Sequence, residues 1–563
     1  MKAMTRILFA ACLFCLTAFA HAGPSPVSAQ LREAAVAAAH PLATEAGLAA
    51  LRAGGNAFDA AVAVTAALAV VEPNGSGLGG GGFYLLHRAR DGRQIMLDAR
   101  ETAPSAAHAR MYLEAGEGAS LNGPLAAGIP GIPAALEHLA ERYGRLPLER
   151  NLAAAIRHAR QGFAVDAQYR RYLAFRREAV AASPAAAAVF LQQGEVPELG
   201  HVLVQPDLAD TLEALARQGR RGFYRGPVAQ ALVRGVRQAG GIWTPTDLAR
   251  YRVIEREPVV THYRGHRVVS AAPPSAGGIA LATLFNQLRA LPEPKDRTQR
   301  IHLLTETMRR AYRDRARWLG DPDFTPIPMR ALTDPAYGAA LARGIDPTKA
   351  TPSALLGPAP MIKEGFSTTH FSILDAEGNR VAATLSINYP FGSGFMPEGT
   401  GVLLNNEMDD FATRPGEANV YGLVGGRANA VAPDKRMLSS MSPTFVEGPR
   451  GFAILGTPGG SRIITMVLLA ALDYMDGGTA ESMVRLPRFH HQYRPDALQY
   501  ETGALNETLR QRLEAMGHTL RLASMGAYGN MQAVVWDRAT HRAVAASDPR
   551  GGGTGRVETM PLR

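Results

Sequence analysis

The sequence predicts a mixed α+β protein, with helices concentrated in the first part of the chain and strands in the last. Three observations carry this. Residues 134–288 are rich in alanine and arginine and read as helices separated by proline and glycine breaks. Residues 369–375 and 381–387 alternate like strands around an Ala376-Glu377-Gly378-Asn379 turn, the pattern of a β-hairpin. Between them, residues 323–363 are rich in proline and lack long periodic runs, which predicts an exposed connection.

The chain has 563 residues, 46% apolar and 20% charged, enough to bury a sizeable core. Lys and Arg number 60 against 50 Asp and Glu. The basic residues are scattered among acids, so the excess favours anionic small molecules and gives no sign of a nucleic acid partner or a membrane surface. At the start, Lys2 and Arg6 precede the apolar run Ile7–Ala20, which is too short for a membrane span. Ala20-His21-Ala22 follows as a small-residue cleavage signal, so residues 1–22 are predicted to be a signal peptide and the protein to be periplasmic or secreted. Both cysteines, Cys12 and Cys15, lie in this leader. The mature chain therefore has neither a disulfide nor a cysteine nucleophile. No later segment reaches the length of a membrane span.

After a polar lead, Glu45–Arg52 has helical spacing, ended by Gly54-Gly55. Asn56 is placed to cap the next helix, with Asp59 at its third position, and Pro73 stops that helix after Val71. The glycine run Gly77–Gly82 leads into a strand at Phe83–Leu86. A phosphate-binding loop needs the strand before the glycines and a Gly-Lys-Ser/Thr ending, and both are missing. Close backbone packing is the better use of these glycines. Pro273–Gly278 is a rigid turn into another helix. Phe452–Leu455 is a short strand, followed by Gly456-Thr457-Pro458-Gly459-Gly460 and a helix opening at Ser461. Residues 532–536 and 543–546 form a last predicted hairpin.

Taken alone, a threonine that opens a strand is ordinary structure. The stretch Thr368-Thr369-His370-Phe371-Ser372-Ile373, followed by Gly378–Thr384 and Asn388-Tyr389-Pro390-Phe391-Gly392, resembles the signature of the γ-glutamyltransferase family of N-terminal nucleophile hydrolases. Further blocks are similar too: Ala39–Gly47, Gly54–Ala61, Glu72–Gly82, Arg100–Pro104, Gly128–Gly131, Pro273–Ser275, Asp314–Arg317, Leu404–Phe411, Leu438–Pro443 and Pro458–Arg462. The resemblance spans nearly the whole mature chain.

It implies a four-layer αββα sandwich built from two subunits of one self-cleaved precursor, a large one of residues 23–367 and a small catalytic one of residues 368–563. The two would remain together as a heterodimer. Cleavage of the Ser367–Thr368 bond would make Thr368 a chain start. Its hydroxyl would become the nucleophile and its α-amine the base. Ser386 would hydrogen-bond Thr368, and the backbone N–H groups of Gly459 and Gly460 would face the oxyanion. Arg100, Ser439 and Ser440 would hold the α-carboxylate of a γ-glutamyl group, while Asp410, Glu407 and Asn388 would hold its ammonium. Residues 415–435, with Tyr421, resemble a lid over that pocket. The implied substrates are glutathione and other γ-glutamyl compounds, with water, amino acids or peptides as acceptors. No metal or other cofactor is implied: His490 and His491 are adjacent and so point apart, and His370 reads as structural. The family's pattern favours threonine where Ser386 stands. Two other readings remain at this stage: an acylase using the same machinery on glutaryl-cephalosporin or poly-γ-glutamate, and an uncleaved binding homologue.

Overall fold

The computed structural model describes residues 31–357, 367–412, 426–524 and 526–561. The leader and Tyr421 lie outside these residues.

Two antiparallel sheets dominate a mixed α/β architecture. The first has seven strands in the order Thr554–Thr559, Glu33–Ala38, Thr369–Leu374, Arg380–Ser386, Gly81–Arg88, Arg93–Ala99 and Ile254–Arg256. The second has six, Arg542–Ser547, Gln532–Asp537, Gly451–Gly456, Thr444–Gly448, His266–Ser270 and Val259–Tyr263. Each sheet mixes strands from before and after residue 367, so neither part of the chain completes a sheet by itself.

The sheets pack on each other through small and β-branched side chains. Ala35, Ala37, Leu85 and Ala382 of the first meet Val269, Phe445, Ile454 and Val534 of the second. Strand geometry sends alternate residues to opposite faces. Ala34, Val36 and Ala38 accordingly leave this layer and join the core under helices Pro41–Arg52 and Ala57–Val71. On the outer face of the second sheet, helices Gly277–Ala290 and Ile463–Met475 close another core. The 57–71 helix begins as the sequence predicts. Asn56 accepts from the Phe58 and Asp59 amides, and Asp59 accepts from the Asn56 amide in return.

Four expectations need correction. The predicted polar lead contains the strand Glu33–Ala38. Its Glu-Ala-Ala-Val-Ala-Ala sequence has helical propensity, which burial between two strands overrides. The stretch read as mostly helical contains three strands between Ile254 and Ser270. The predicted connection carries helices Met329–Leu332 and Pro335–Ala342, with Leu332 and Ala342 buried. The last hairpin is followed by one more strand, Thr554–Thr559, which pairs with Glu33–Ala38. Among the described residues no helix is long and apolar enough to cross a membrane.

Candidate active site

The hairpin of residues 369–386 pairs Thr369 with Leu385 and so sets Thr368 close to Ser386. Thr368 is buried, with 8% of its surface exposed. Its Oγ1 donates to the Ser367 carbonyl oxygen at 2.8 Å and lies 3.4 Å from Ser386 Oγ. Ser386 Oγ donates to the same carbonyl at 3.3 Å and accepts from the Asn388 amide at 2.8 Å. Two hydroxyls thus point at one peptide carbonyl, which polarises it. The Ser367 side chain donates to the Asn74 carbonyl, and its amide donates to Asn388 O at 3.1 Å. Asn388 adopts φ +73° to make this turn. The glycine run lies against the other edge of the 380–386 strand. A Cβ on Gly80 would collide with the Ser386 carbonyl oxygen, so the close packing expected of these glycines is realised here.

Across the cavity from these hydroxyls lies a charged wall. Arg100, 1% exposed, ends the strand Arg93–Ala99. Its Nη1 donates to Glu407 and its Nη2 to Asp410, each at 2.5 Å, while Glu101 stands 3.5 Å away. The fork expected to be open for a carboxylate is therefore occupied by acids, and Met437 O and Leu438 O take its remaining N–H groups at 3.3 Å. Burial opposes the guanidinium charge, but Glu407, Asp410 and Glu101 outweigh that and hold its pKa above the ordinary value. The Asp410 carboxyl is pushed well above the usual range by burial and then by Glu407, with Arg100 opposing. Burial and Glu407 do the same to Glu101. One guanidinium thus faces three carboxyls. Glu407 Oε1, Asp410 Oδ1 and both Glu101 carboxyl oxygens are buried and receive no hydrogen bond among the described residues.

Loops from distant parts of the chain hold this wall. Asn405 accepts from the Gly128 and Glu407 amides at 3.0 Å and donates to Gly79 O and Gly128 O. Asn388 Nδ2 donates to Asn406 O at 2.8 Å, tying the hydroxyl wall to the acidic loop. Ser120 donates to Asp409 at 2.6 Å. Ser439 and Ser440 complete the cavity beside the Pro273–Ser275 turn, where Ser439 N donates to Pro274 O. Ser440 Oγ accepts from Arg315 Nε at 3.1 Å. Burial lowers the Arg315 pKa to about 10, with Tyr312 and Asp410 raising it and Arg100 lowering it. Gly460 reaches the cavity wall, and Gly459 before it takes φ +140°, a conformation that favours glycine.

The structure therefore brings Thr368, Ser386, Asn388, Arg100, Glu407, Asp410, Ser439, Ser440 and Gly460 around one space. Tyr421 falls outside the described residues. The described end of the expected lid is fastened to the site, because Asn429 Nδ2 donates to Asp410 O at 2.6 Å and Asn429 Oδ1 accepts from Leu438 N. His370 stands 2.8 Å from Thr384 Oγ1 and 3.2 Å from Ser372 Oγ, and burial lowers its pKa to about 3. His490 and His491 contact Thr465 and Asp496 respectively. Among the described residues no cluster of His, Cys, Asp and Glu is arranged to hold a metal ion. Sequence reasoning gave no role to Glu101 or Arg315, although both lie in the blocks singled out above. Ser120 carried no signal at all.

The family model described as Gamma-glutamyltranspeptidase matches residues 43–557. The chain is 41% identical over 531 residues to the glutathione hydrolase proenzyme of Pseudomonas sp. (strain A14), covering 92% of this chain and 91% of that protein. A solved cephalosporin acylase from Bacillus halodurans superposes with a TM-score of 0.83 at 26% identity, over 99% of this chain and 100% of that one. A chain of the Helicobacter pylori gamma-glutamyltranspeptidase gives 0.55 at 37% identity, over 57% of this chain and 93% of its own length.

Proposed function

Because the chain belongs to the γ-glutamyltranspeptidase family, we propose that it is an exported precursor that cuts itself before Thr368. The new N-terminal threonine then moves γ-glutamyl groups from glutathione and similar donors to water, amino acids or peptides. The carrying observation is the Thr368 hydroxyl, buried 2.8 Å from the carbonyl oxygen of its own preceding residue and in one cavity with Arg100, Glu407 and Asp410.

In maturation, Thr368 Oγ1 attacks the Ser367 carbonyl carbon. The C–N bond breaks, the nitrogen takes the hydroxyl proton, and an ester joins Ser367 to Thr368 Oγ. Water hydrolyses the ester. The freed α-amine has an ordinary pKa of ~7.7–8.0, so much of it is neutral near pH 7 and can accept the hydroxyl proton in turnover. Thr368 Oγ then attacks the donor's γ-carbonyl, and the leaving amine departs with a proton. Water or an acceptor amine resolves the γ-glutamyl ester. Gly459 and Gly460 stabilise the oxyanion, where loss of one donor typically costs ~10²–10³ in rate. This chemistry requires no cofactor.

The charged wall supports a donor that carries both an ammonium and a carboxylate. The ammonium replaces Arg100 as partner of Glu407 and Asp410, both of which line the cavity. Arg100 is then released toward the carboxylate, with Ser439 and Ser440 beside it. The ordering of helices, sheet, sheet and helices supports the four-layer αββα sandwich. Strands shared across residue 367 support a tightly held pair of subunits, 23–367 and 368–563, after removal of residues 1–22 and export to the periplasm or beyond. The structural likeness to a cephalosporin acylase favours a second reading, an acylase acting on glutaryl amides. A glutaryl group has no ammonium for the acidic pair. Mass spectrometry with N-terminal sequencing of the smaller fragment tests the cut, and it is expected to begin at Thr368. Glutathione is expected to outcompete glutaryl amides as donor, and the reverse would favour the acylase.

A further inference from the structure

Two adjacent glycines are a poor means of aiming an N–H group, since neither has a side chain to restrict its backbone. Gly459 and Gly460 stand at φ +140° and +59°, and Gly460 lines the cavity. Ser461 is the first residue after them with a side chain, and it is held at both ends. The Tyr312 hydroxyl donates to the Ser461 carbonyl oxygen, and the Ser461 hydroxyl donates to Gln492 Oε1 at 2.7 Å. Gln492 Oε1 also accepts from His490 Nε2 at 3.0 Å, and Gln492 Nε2 donates to Arg494 O at 3.1 Å. The His490 ring meets the Tyr312 ring edge to face, with centroids 5.3 Å apart. Ser461, Tyr312, His490 and Gln492 thus close a ring of contacts beside the turn, and all four are buried. None of the four is among the residues lining the cavity. Tyr312 belongs to the helix Arg297–Trp318. Three residues further along that helix, Arg315 Nε donates to Ser440 Oγ at 3.1 Å, so the helix is moored to a second residue of the cavity.

We propose that Tyr312 is a positioning residue for the oxyanion turn: together with Gln492 it fixes Ser461 and so aims the Gly459 and Gly460 amides. The inference rests on the assignment of those amides to the oxyanion under the proposed function. It also makes the turn depend on a side chain from the other side of the cut, since Tyr312 precedes residue 367 and Ser461, His490 and Gln492 follow it. Donors that are already fixed need no reorganisation as charge develops on the γ-carbonyl oxygen. A turn free to swing would still admit the donor, whose ground-state carbonyl carries little charge, and would fail it in the transition state. Loss of a tether should therefore cost kcat and spare KM.

Tyr312→Phe keeps the ring against His490 and removes only the hydroxyl, while Ser461→Ala releases the Gln492 end. Purified, self-cleaved enzyme is assayed with glutathione, and rates are expressed per cleaved subunit pair. Each variant should lose kcat roughly tenfold, short of the ~10²–10³ for removing a donor outright, and keep KM within about twofold. A second readout separates aim from general loosening. In a glutamate analogue whose side-chain carboxyl is replaced by a boronic acid, the Thr368 hydroxyl adds to boron and its proton passes to the α-amine. The tetrahedral anion sets an oxygen where the oxyanion would lie. Affinity for this analogue should fall by the same factor as kcat, roughly tenfold, while inhibition by L-glutamate, which forms no such adduct, stays unchanged. Wild-type kcat and boronate affinity in either variant would overturn the inference. So would equal losses of affinity for boronate and glutamate, the mark of a disordered pocket. A wild type that gains no γ-glutamyl mass on the 368–563 fragment and captures no boronate overturns the proposed function instead, and the inference with it.

Discussion

The two walls of the cavity are built on opposite principles. The nucleophile wall holds neutral hydroxyls, Thr368 and Ser386, brought together by one hairpin within a short stretch of chain. The opposite wall gathers Arg100, Glu101, Glu407 and Asp410 from two distant segments, the first three buried and Asp410 part-buried. The groups of the hydroxyl wall bond to each other and to the Ser367 carbonyl. The charged wall sets three carboxyls against one guanidinium, and four of their oxygens accept no hydrogen bond among the described residues. Under the proposed function, bond rearrangement would fall to the first wall and donor recognition to the second, so substitutions should separate maturation from donor binding.

The largest effect is expected from Thr368→Ala. It removes the attacking group for both reactions, so the precursor should run as a single band and turnover should fall by ~10⁴ or more. Two bands would place the nucleophile elsewhere. Arg100→Lys comes next. It preserves the charge but not the planar fork, and activity with glutathione should fall ~10²-fold, mostly through KM, as expected for a buried charge-paired contact. Maturation should proceed, because Arg100 does not touch the hairpin hydroxyls. An uncut Arg100→Lys precursor would mean that the walls are not independent.

Legibility in the sequence follows the same division. The hairpin was readable from alternation and a turn, because strand pairing and register are local there. Its chemical meaning was not, since a strand-opening threonine looks like any other in an unbroken chain. For the charged wall, periodicity gave nothing. Arg100 ends a strand and Glu407–Asp410 forms a single 3-10 turn, and only resemblance to a family connected them. Resemblance did not foresee that Arg100 is paired with Glu407 and Asp410. The strand Glu33–Ala38 was missed because an alanine-rich segment carries no strand signal. It is a strand because partners on both sides bury it, a property of the tertiary fold.

Within the hydroxyl wall, Ser386→Thr offers a smaller test. Ser386 Oγ sits 3.4 Å from Thr368 Oγ1 and 3.3 Å from Ser367 O, long for hydroxyl contacts. A γ-methyl restricts χ1 and should hold the hydroxyl on the carbonyl more of the time. Pulse-chase maturation is expected to speed up by ~2–5-fold, consistent with less than 1 kcal/mol of rotamer restriction. Ser386→Ala should slow it. Equal rates for all three would leave Ser386 without a part in the cut.

The smallest effect concerns stability, and it tests whether the charged wall is maintained at a cost to the fold. Burial first, and Glu407 second, hold the Asp410 carboxyl well above the usual range against the pull of Arg100. The folded protein therefore keeps a proton that the unfolded chain releases above pH ~3.9. Between that pH and the folded-state pKa the native state binds more protons, so Asp410's contribution to stability declines as pH rises. Asp410→Asn has no proton to lose there and leaves Arg100 with Glu407 and Glu101. Its unfolding midpoint should exceed the wild type's by ~1–2 °C at pH 7.5, and the gap should narrow toward pH 4. The same substitution should lower kcat/KM by ~10–100-fold with donors that carry an α-ammonium, in keeping with loss of one charged hydrogen bond. Glutaryl amides, which have no ammonium, should show little change. A variant that is less stable at pH 7.5 would mean that the Arg100–Asp410 pair repays its burial, and that the acidic excess is structural support for the fold.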